Sequence, residues 1–193
     1  MATLVSIRKD VLADMLKVAD KPAGTLSQPE DESEGEEKKI LVEEAQEHIK
    51  DKIVKLSEDA LPQLVAAVLR AMSFKTRISP KGPDGGWDIF ASPDILGFQE
   101  PRIKVEVKHR PNAPIGAPDV RSFITALRGR DKGLYVSSGG FTKDAKNETH
   151  NAPVPVEWVD LDKLASLVVE HYADFDSEGQ ALLPLVKIYW PSE

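Results

Sequence analysis

The chain contains no cysteine among its 193 residues. This absence excludes a disulfide framework and any zinc site built on thiolates. The sequence also lacks an apolar run that approaches the roughly 20 residues required to span a bilayer. Its first residues do not show the basic and then apolar pattern of a secretory signal peptide. We therefore expect a protein of the reducing cytoplasm, with no membrane partner.

Several common catalytic and nucleotide-binding motifs are missing as well. Neither GxxxxGK[ST] nor GxGxxG occurs, so a loop that cradles nucleotide phosphates has no support. No GxSxG elbow is present for a serine hydrolase. The four histidines lack the HExxH spacing and have no cysteine companions, so a zinc enzyme is not expected.

Charge is plentiful but unevenly distributed. The net charge of −7 includes an acid run in residues 30–37, which contains six carboxylates. Between Arg102 and Lys146 there are ten Lys and Arg residues and four acids, a local balance of +6. Because a nucleic acid responds to the patch that faces it, the acidic total does not exclude a nucleic-acid partner.

The pattern of apolar residues divides the chain into three parts. Residues 1–20 form a short helical stripe, and residues 21–39 have the composition of an acidic disordered linker. Residues 40–193 alternate between helical and strand patterns, which predicts an α/β domain with a mixed, largely covered sheet. The predicted helices cover residues 40–56, 59–72, 118–127 and 161–172, with another from Thr142. The predicted strands cover residues 74–79, 87–91, 102–108, 133–137 and 154–159.

The strand at residues 102–108 has an unusual polar face. A strand has a side-chain period of two, so Ile103, Val105 and Val107 share one face and three charged residues share the other. On that charged face Glu106 and Lys108 are direct neighbours, roughly 7 Å apart along the chain. The pattern places a carboxylate beside an ammonium group.

A second acid, Asp88, opens the preceding strand after a Gly-rich turn. Two carboxylates supply the hard oxygen ligands that Mg²⁺ or Mn²⁺ prefers, and a lysine beside them can stabilise developing negative charge. Asp88, Glu106 and Lys108 therefore form a candidate metal-dependent catalytic site. The alternative is a surface ion pair, Glu106 with Lys108, and an unrelated turn aspartate.

Three blocks of the sequence, GPDGGWD (82–88), VEVKHR (105–110) and GGFTKDA (139–145), resemble the Mrr-type restriction endonuclease domain. That domain belongs to the PD-(D/E)xK nuclease superfamily, and the resemblance covers about residues 59–190. It implies a restriction-endonuclease-like α/β fold, with a central mixed β-sheet flanked by helices, DNA as substrate and Mg²⁺ or Mn²⁺ as cofactor. It also implies that Asp88 and Glu106 are metal ligands and that Lys108 is the catalytic lysine. Mrr-type domains often have Gln at the second-acid position, and this chain has Glu.

Residues around this trio are further candidates. Gln63, on the first core helix, and Asp84, in the turn before Asp88, are candidates to support the metal ligands. A solvated glutamine and a turn aspartate are the simpler interpretations. Residues 139–142 precede a helix whose free N–H groups can bind an anion, or Thr142 can simply cap that helix. The residues predicted to contact DNA are His109, Arg110, Arg121, Arg128, Arg130, Lys132, Thr142 and Lys143.

We expect a Mg-dependent, type IV or Mrr-like DNA endonuclease of restriction or DNA defence. Three alternatives stay open: a repair or junction-processing nuclease on the same scaffold, a non-catalytic DNA-binding module and a structural domain. Residues 1–39 are too short for a recognition domain. Target choice is therefore expected from a separate domain or subunit, from a homodimer or larger assembly, or from loops at residues 93–101 and 111–118.

Overall fold

The structure, a computed structural model, describes residues 29–79 and 87–189, with the backbone alone for residues 29–35. The chain divides into two compact units, Met1–Ile40 and Leu41–Glu193. Asp84 and the predicted helical segment at residues 1–20 lie outside the described residues. Among the described helices, none is long and apolar enough to cross a membrane.

Helices and strands alternate along the described chain. The helices are α1 (Pro29–Val54), α2 (Ala60–Ala71), α3 (Ala117–Ala126), α4 (Lys143–His150), α5 (Leu161–His171) and α6 (Ser177–Leu182), with a 3₁₀ turn at Tyr172–Asp174. The strands are β1 (Lys75–Ile78), β2 (Ile89–Ser92), β3 (Arg102–Lys108), β4 (Asp131–Ser137) and β5 (Val156–Val159). The ends of α2, α3, α5 and all five strands lie within two residues of the predicted positions.

Helix α1 is longer than predicted. It begins at Pro29 and not at residue 40, so the acid run is helical where we predicted a disordered linker. Proline suits the first helical position, because the N–H that it lacks would have no helical partner there. Glutamates are good helix formers and are favoured near a helix N-terminus by its dipole. The rest of the predicted linker, residues 21–28, lies outside the described residues.

The five strands form one mixed sheet in the order β1-β2-β3-β4-β5. Strands β1, β2 and β3 pair antiparallel, whereas β3, β4 and β5 pair parallel. The start of β2 and the ends of β3 and β4 therefore lie at the same edge, where Lys108 is paired with Ser137. We call this the site edge. The far edge holds Ser92, Arg102 and Asp131.

Both faces of the sheet are covered, as the sequence predicts. On one face Val105 and Val107 of β3 pack in an apolar core with residues from α1, α2 and α5. On the other face Tyr135 of β4 packs in a smaller core with Phe123 of α3 and Ala145 of α4. Because side chains alternate along a strand, β3 presents its charged residues on this second face. The charged stripe predicted for β3 thus lies beside the smaller core.

Candidate active site

Asp88 is held against β3 at the site edge. Its backbone N–H donates to the Val105 carbonyl at 2.7 Å, and its Oδ2 accepts from the Val107 N–H at 2.7 Å. Its own carbonyl accepts from the Ser79 N–H at 2.8 Å, which joins it to the end of β1. The other carboxylate oxygen, Oδ1, has no partner among the described residues. These bonds fix the position of the carboxylate and leave one oxygen for a ligand.

Glu106 and Lys108 form an ion pair on the same face of β3, between Nζ and Oε1. Burial raises the pKa of the Glu106 carboxyl, and the Lys108 ammonium opposes that shift. The negative charges of Asp88 and Asp119 raise the same pKa further. The structure thus brings all three predicted catalytic residues together, and their charges act on one another.

The donor set fits a divalent cation of the magnesium type. Asp88 and Glu106 supply two carboxylates, and their mutual repulsion is what a cation would relieve. Among the described residues, no three His, Cys, Asp or Glu side chains converge as a metal cluster. Two carboxylates are nevertheless sufficient for Mg²⁺, which keeps several waters and takes further oxygens from a phosphate.

An open cleft of about 640 Å³ lies at the site edge. Its lining residues are Glu58, Asp59, Pro62, Gln63, Ile78, Ser79, Asp88, Val107, Lys108, His109 and Arg110. Gln63 therefore lies in the same cleft as Asp88 and Lys108. The acids Glu58 and Asp59 were not predicted as site residues, although they directly precede the helix that carries Gln63.

The start of α2 has a serine just before its N-cap residue. Asp59 occupies the N-cap position, but its side chain makes no capping hydrogen bond. Ser57 supplies that bond, because its Oγ accepts from the Ala60 N–H at 3.2 Å. Glu58 and Asp59 lie in the turn that lines the cleft.

His109 lines the cleft, and its ring is held by contacts within the protein. Its Nε2 lies 2.8 Å from the Leu56 carbonyl oxygen, and its Nδ1 lies 2.9 Å from Ser138 Oγ. Both ring nitrogens therefore have partners within the chain. Because side chains alternate along an extended strand, the His109 ring lies on the opposite face from Lys108.

The loops that follow β3 and β4 are joined to each other at the site edge. The Ile115 N–H donates to the Gly140 carbonyl at 2.9 Å, and the Thr142 N–H donates to the Ile115 carbonyl at 3.0 Å. Thr142 Oγ1 caps α4 by accepting from the Ala145 N–H at 3.2 Å. Lys143 follows as an exposed residue. Arg110, also exposed, lines the cleft.

The remaining predicted DNA contacts lie elsewhere. Arg128, Arg130 and Lys132 are at or just before the start of β4, at the far edge. Because β4 is seven residues long, this group is about 20 Å from Lys108. The loop at residues 93–101 also lies at the far edge, between β2 and β3. Arg121 is exposed on α3 and pairs with Glu148 at 3.0 Å. The structure does not gather these four basic residues around Asp88.

Two residues near the carboxylates were missed by the sequence analysis. Asp119, in the first turn of α3, raises the pKa of Glu106 by its charge. Tyr135 is opposite Glu106 in the β3–β4 register, and burial together with the nearby acids raises the pKa of its phenol. The helix after β3 must start at the site edge, so its first-turn acid was a signal available in the sequence.

The sheet, its flanking helices and the position of the acid pair define a restriction-endonuclease-like α/β fold. The chain is similar to the DNA modification-dependent restriction endonuclease AspBHI, with a TM-score of 0.55 and 16% sequence identity. That similarity covers 72% of this chain and 38% of AspBHI. A structure of the MspJI restriction endonuclease in complex with a 27-mer oligonucleotide gives a TM-score of 0.46 at 21% identity, covering 70% of this chain and 31% of MspJI.

The profile of the Mrr catalytic family, described as restriction endonuclease, matches residues 53–168. This match covers more than half of the chain, so the chain belongs to the Mrr-type restriction endonuclease family, which confirms the resemblance. It is also 30% identical over 86 residues to the uncharacterized protein y4cE of Sinorhizobium fredii. The chain spans a minor part of these relatives: the match covers 22% of y4cE and 38% of AspBHI.

Proposed function

We propose that this protein is a metal-dependent endonuclease that hydrolyses phosphodiester bonds in DNA, with a role in restriction or DNA defence. One observation carries the proposal: Asp88, Glu106 and Lys108 meet at the site edge beside an open cleft. Membership of the restriction endonuclease family supports the reaction class. The name of AspBHI, which describes a restriction endonuclease dependent on DNA modification, supports DNA as the substrate.

Each residue of the trio has a distinct part in the proposed reaction. Asp88 and Glu106 would hold Mg²⁺ or Mn²⁺, which when bound supplies Lewis-acid chemistry and lowers the pKa of water. Lys108 would position the attacking water and stabilise the negative charge that develops on the phosphate. The water oxygen would form a bond to phosphorus and release a proton to solvent while one ester P–O bond breaks. The leaving oxygen would take up a proton from solvent, so that one water is added overall.

Target choice is proposed to reside outside the trio. The cleft residues of this chain provide carboxylates, an amide and a few cations beside the trio. A separate recognition domain or subunit, or a homodimer, would supply specificity. Of the two loops considered for target choice, the loop at residues 111–118 reaches the site edge through Ile115.

A plasmid cleavage assay with Mg²⁺ or Mn²⁺ tests the proposal. We expect cleavage that EDTA abolishes, and a loss of at least about 10²-fold for Asp88→Asn and Lys108→Met. Asparagine can still accept from the Val107 N–H, so Asp88→Asn removes the charge while keeping the contact. Lys132→Met, at the far edge, is the matched control for Lys108→Met and is expected to cleave normally.

Three results would contradict the proposal or a part of it. Cleavage that survives both substitutions would place the activity at another site or in a contaminant. DNA binding without cleavage, under every metal and with linear, supercoiled, branched and modified substrates, would favour the non-catalytic DNA-binding alternative. A strong preference for branched over linear DNA would favour a junction-processing nuclease.

A further inference from the structure

We propose that His109 is a positioning residue that holds the end of β3 in place for catalysis. Its ring joins three segments at the site edge: the end of β3, the turn between α1 and α2, and the residue after β4. The predicted effect on cleavage rests on the proposed nuclease function. The contacts of the ring do not depend on it.

The hydrogen bonds of the His109 ring and of Ser138 surround the end of β3. His109 Nε2 is 2.8 Å from the carbonyl oxygen of Leu56, and Nδ1 is 2.9 Å from Ser138 Oγ. The Ser138 N–H in turn donates to the Lys108 carbonyl at 3.1 Å. Ser138 is therefore bonded to two consecutive residues of β3 and its extension. Its hydroxyl is buried, and removing the histidine would leave that hydroxyl without a partner.

The partners determine which ring nitrogen carries the proton. A backbone carbonyl can only accept, so Nε2 must donate to Leu56. In the neutral ring Nδ1 is then an acceptor, and the Ser138 hydroxyl donates to it. The structure thus assigns a single tautomer, with hydrogen on Nε2. A histidine that merely faced solvent would have no reason to keep one tautomer.

The position of His109 in the chain explains how it would act on Lys108. The two residues are consecutive, so strand alternation directs their side chains to opposite faces of the sheet. The ring fixes the backbone from the face opposite the Lys108 ammonium group. It also holds the turn at Leu56, after which Glu58 and Asp59 line the cleft. Displacement of a catalytic group by about 1 Å can cost about 10²-fold in rate.

Three substitutions separate the two contacts of the ring. His109→Ala removes both, whereas Gln can still donate to Leu56 and Asn can still accept from Ser138. We expect His109→Ala to lower kcat by about 10²-fold while the DNA concentration for half-maximal rate changes by less than about threefold. His109→Gln is expected to restore most of kcat, because it keeps the link to the turn. His150→Ala, an exposed histidine at the end of α4, is the control and is expected to cleave as the unmodified chain does.

A readout without DNA tests the contacts themselves. Proton–nitrogen correlation spectra of the imidazole ring are expected to show hydrogen on Nε2, facing the Leu56 carbonyl. Hydrogen exchange of the backbone N–H of residue 138 is expected to be faster in His109→Ala and in Ser138→Ala. In His109→Asn its rate is expected to return to that of the unmodified chain. The exchange measurement uses protein whose folding is verified by its far-ultraviolet circular dichroism.

The outcomes distinguish this proposal from the proposed function. If the unmodified chain cleaves no DNA, the nuclease proposal fails, while the ring spectrum and the exchange rates still decide the contacts. A ring that averages between tautomers would overturn the positioning role. So would a cleaving chain whose His109→Ala variant keeps its kcat, or one that loses DNA affinity and not kcat.

Discussion

Glu106 carries opposing electrostatic effects at the centre of the site. Burial raises its carboxyl pKa, Asp88 and Asp119 add to that shift, and the Lys108 ion pair only opposes it. The net environment therefore disfavours the ionised form. We therefore expect Glu106 to lower the stability of the metal-free protein at neutral pH, at the position where a cation would be bound. This is the pattern expected when a carboxylate serves binding and not folding.

Glu106→Gln keeps nearly the same side-chain shape and removes the charge. The folded-state pKa lies above the unfolded value, so folding binds protons and the stability contribution is complete only below the unfolded pKa. It is lost as pH rises through the folded pKa. Without divalent metal we expect the variant to unfold at a higher temperature than the unmodified chain at pH 7.5, and the difference to shrink toward pH 4.

The effect of added metal on the same two proteins provides a control. Added Mg²⁺ or Mn²⁺ is expected to raise the unfolding temperature of the unmodified chain more than that of Glu106→Gln, because a ligand stabilises only the state that binds it. Differential scanning calorimetry with and without metal measures both effects. A variant that is less stable than the unmodified chain at pH 7.5 would show that the Lys108 pair outweighs burial.

At the scale of elements, the site edge depends on two loops that approach very closely. A Cβ built on Gly139 would lie 2.0 Å from the Arg110 carbonyl oxygen and 2.5 Å from that of Ala113. Both neighbours are backbone atoms and cannot turn away. Glycine is required here because the loop after β3 passes directly over the loop after β4.

Gly139→Ala is therefore predicted to reduce the free energy of unfolding by about 2–3 kcal/mol, since the two loops must separate. The control is Gly140→Asn at the adjacent residue. Gly140 has a φ of +75° with open space around its Cα, and asparagine tolerates that conformation. We expect the control to cost less than about 1 kcal/mol. Urea denaturation of both variants measures the difference, and equal losses of stability would contradict the close-approach explanation.

The helices and strands also show where predictions from the sequence pattern agree with the structure and where they differ. Alternation of aliphatic and charged residues predicted β3 to the residue, because its core face is uniformly apolar. Helix α1 was predicted too short, because composition suited to disorder outweighed the helix propensity of its glutamates.

At the scale of the whole molecule, basic residues occur at both edges of the sheet. Arg110 lines the cleft, whereas Arg130 is at the far edge and pairs with Glu100 at 3.2 Å. If DNA lies across the site edge, Arg110 is close to its phosphates and Arg130 is not. The local excess of positive charge in the sequence is therefore divided in space between two surfaces about 20 Å apart.

We predict that Arg110→Ala weakens DNA binding while Arg130→Ala leaves it nearly unchanged. Removal of one phosphate-binding cation reduces the slope of log affinity against log salt by about 0.9 for duplex DNA. Fluorescence anisotropy with a catalytically inactive Asp88→Asn background, at several salt concentrations, measures both the affinity and the slope. A larger effect of Arg130→Ala would instead place the DNA at the far edge.

The sequence by itself determined the order of the elements, the covered mixed sheet and the candidate trio of Asp88, Glu106 and Lys108. These follow from periodicity and from short motifs, which are local properties of the chain. Charge and residue type also sufficed to nominate a list of DNA contacts. They could not say which of those residues lie near the carboxylates.

Only the tertiary structure decided which distant residues share the site. Strand direction placed Arg128, Arg130 and Lys132 at the far edge, and the turn before α2 brought Glu58 and Asp59 into the cleft. The contacts of His109 join residues that are 53 and 29 positions away along the chain. Such contacts depend on how the helices pack over the sheet, and no local pattern encodes that packing.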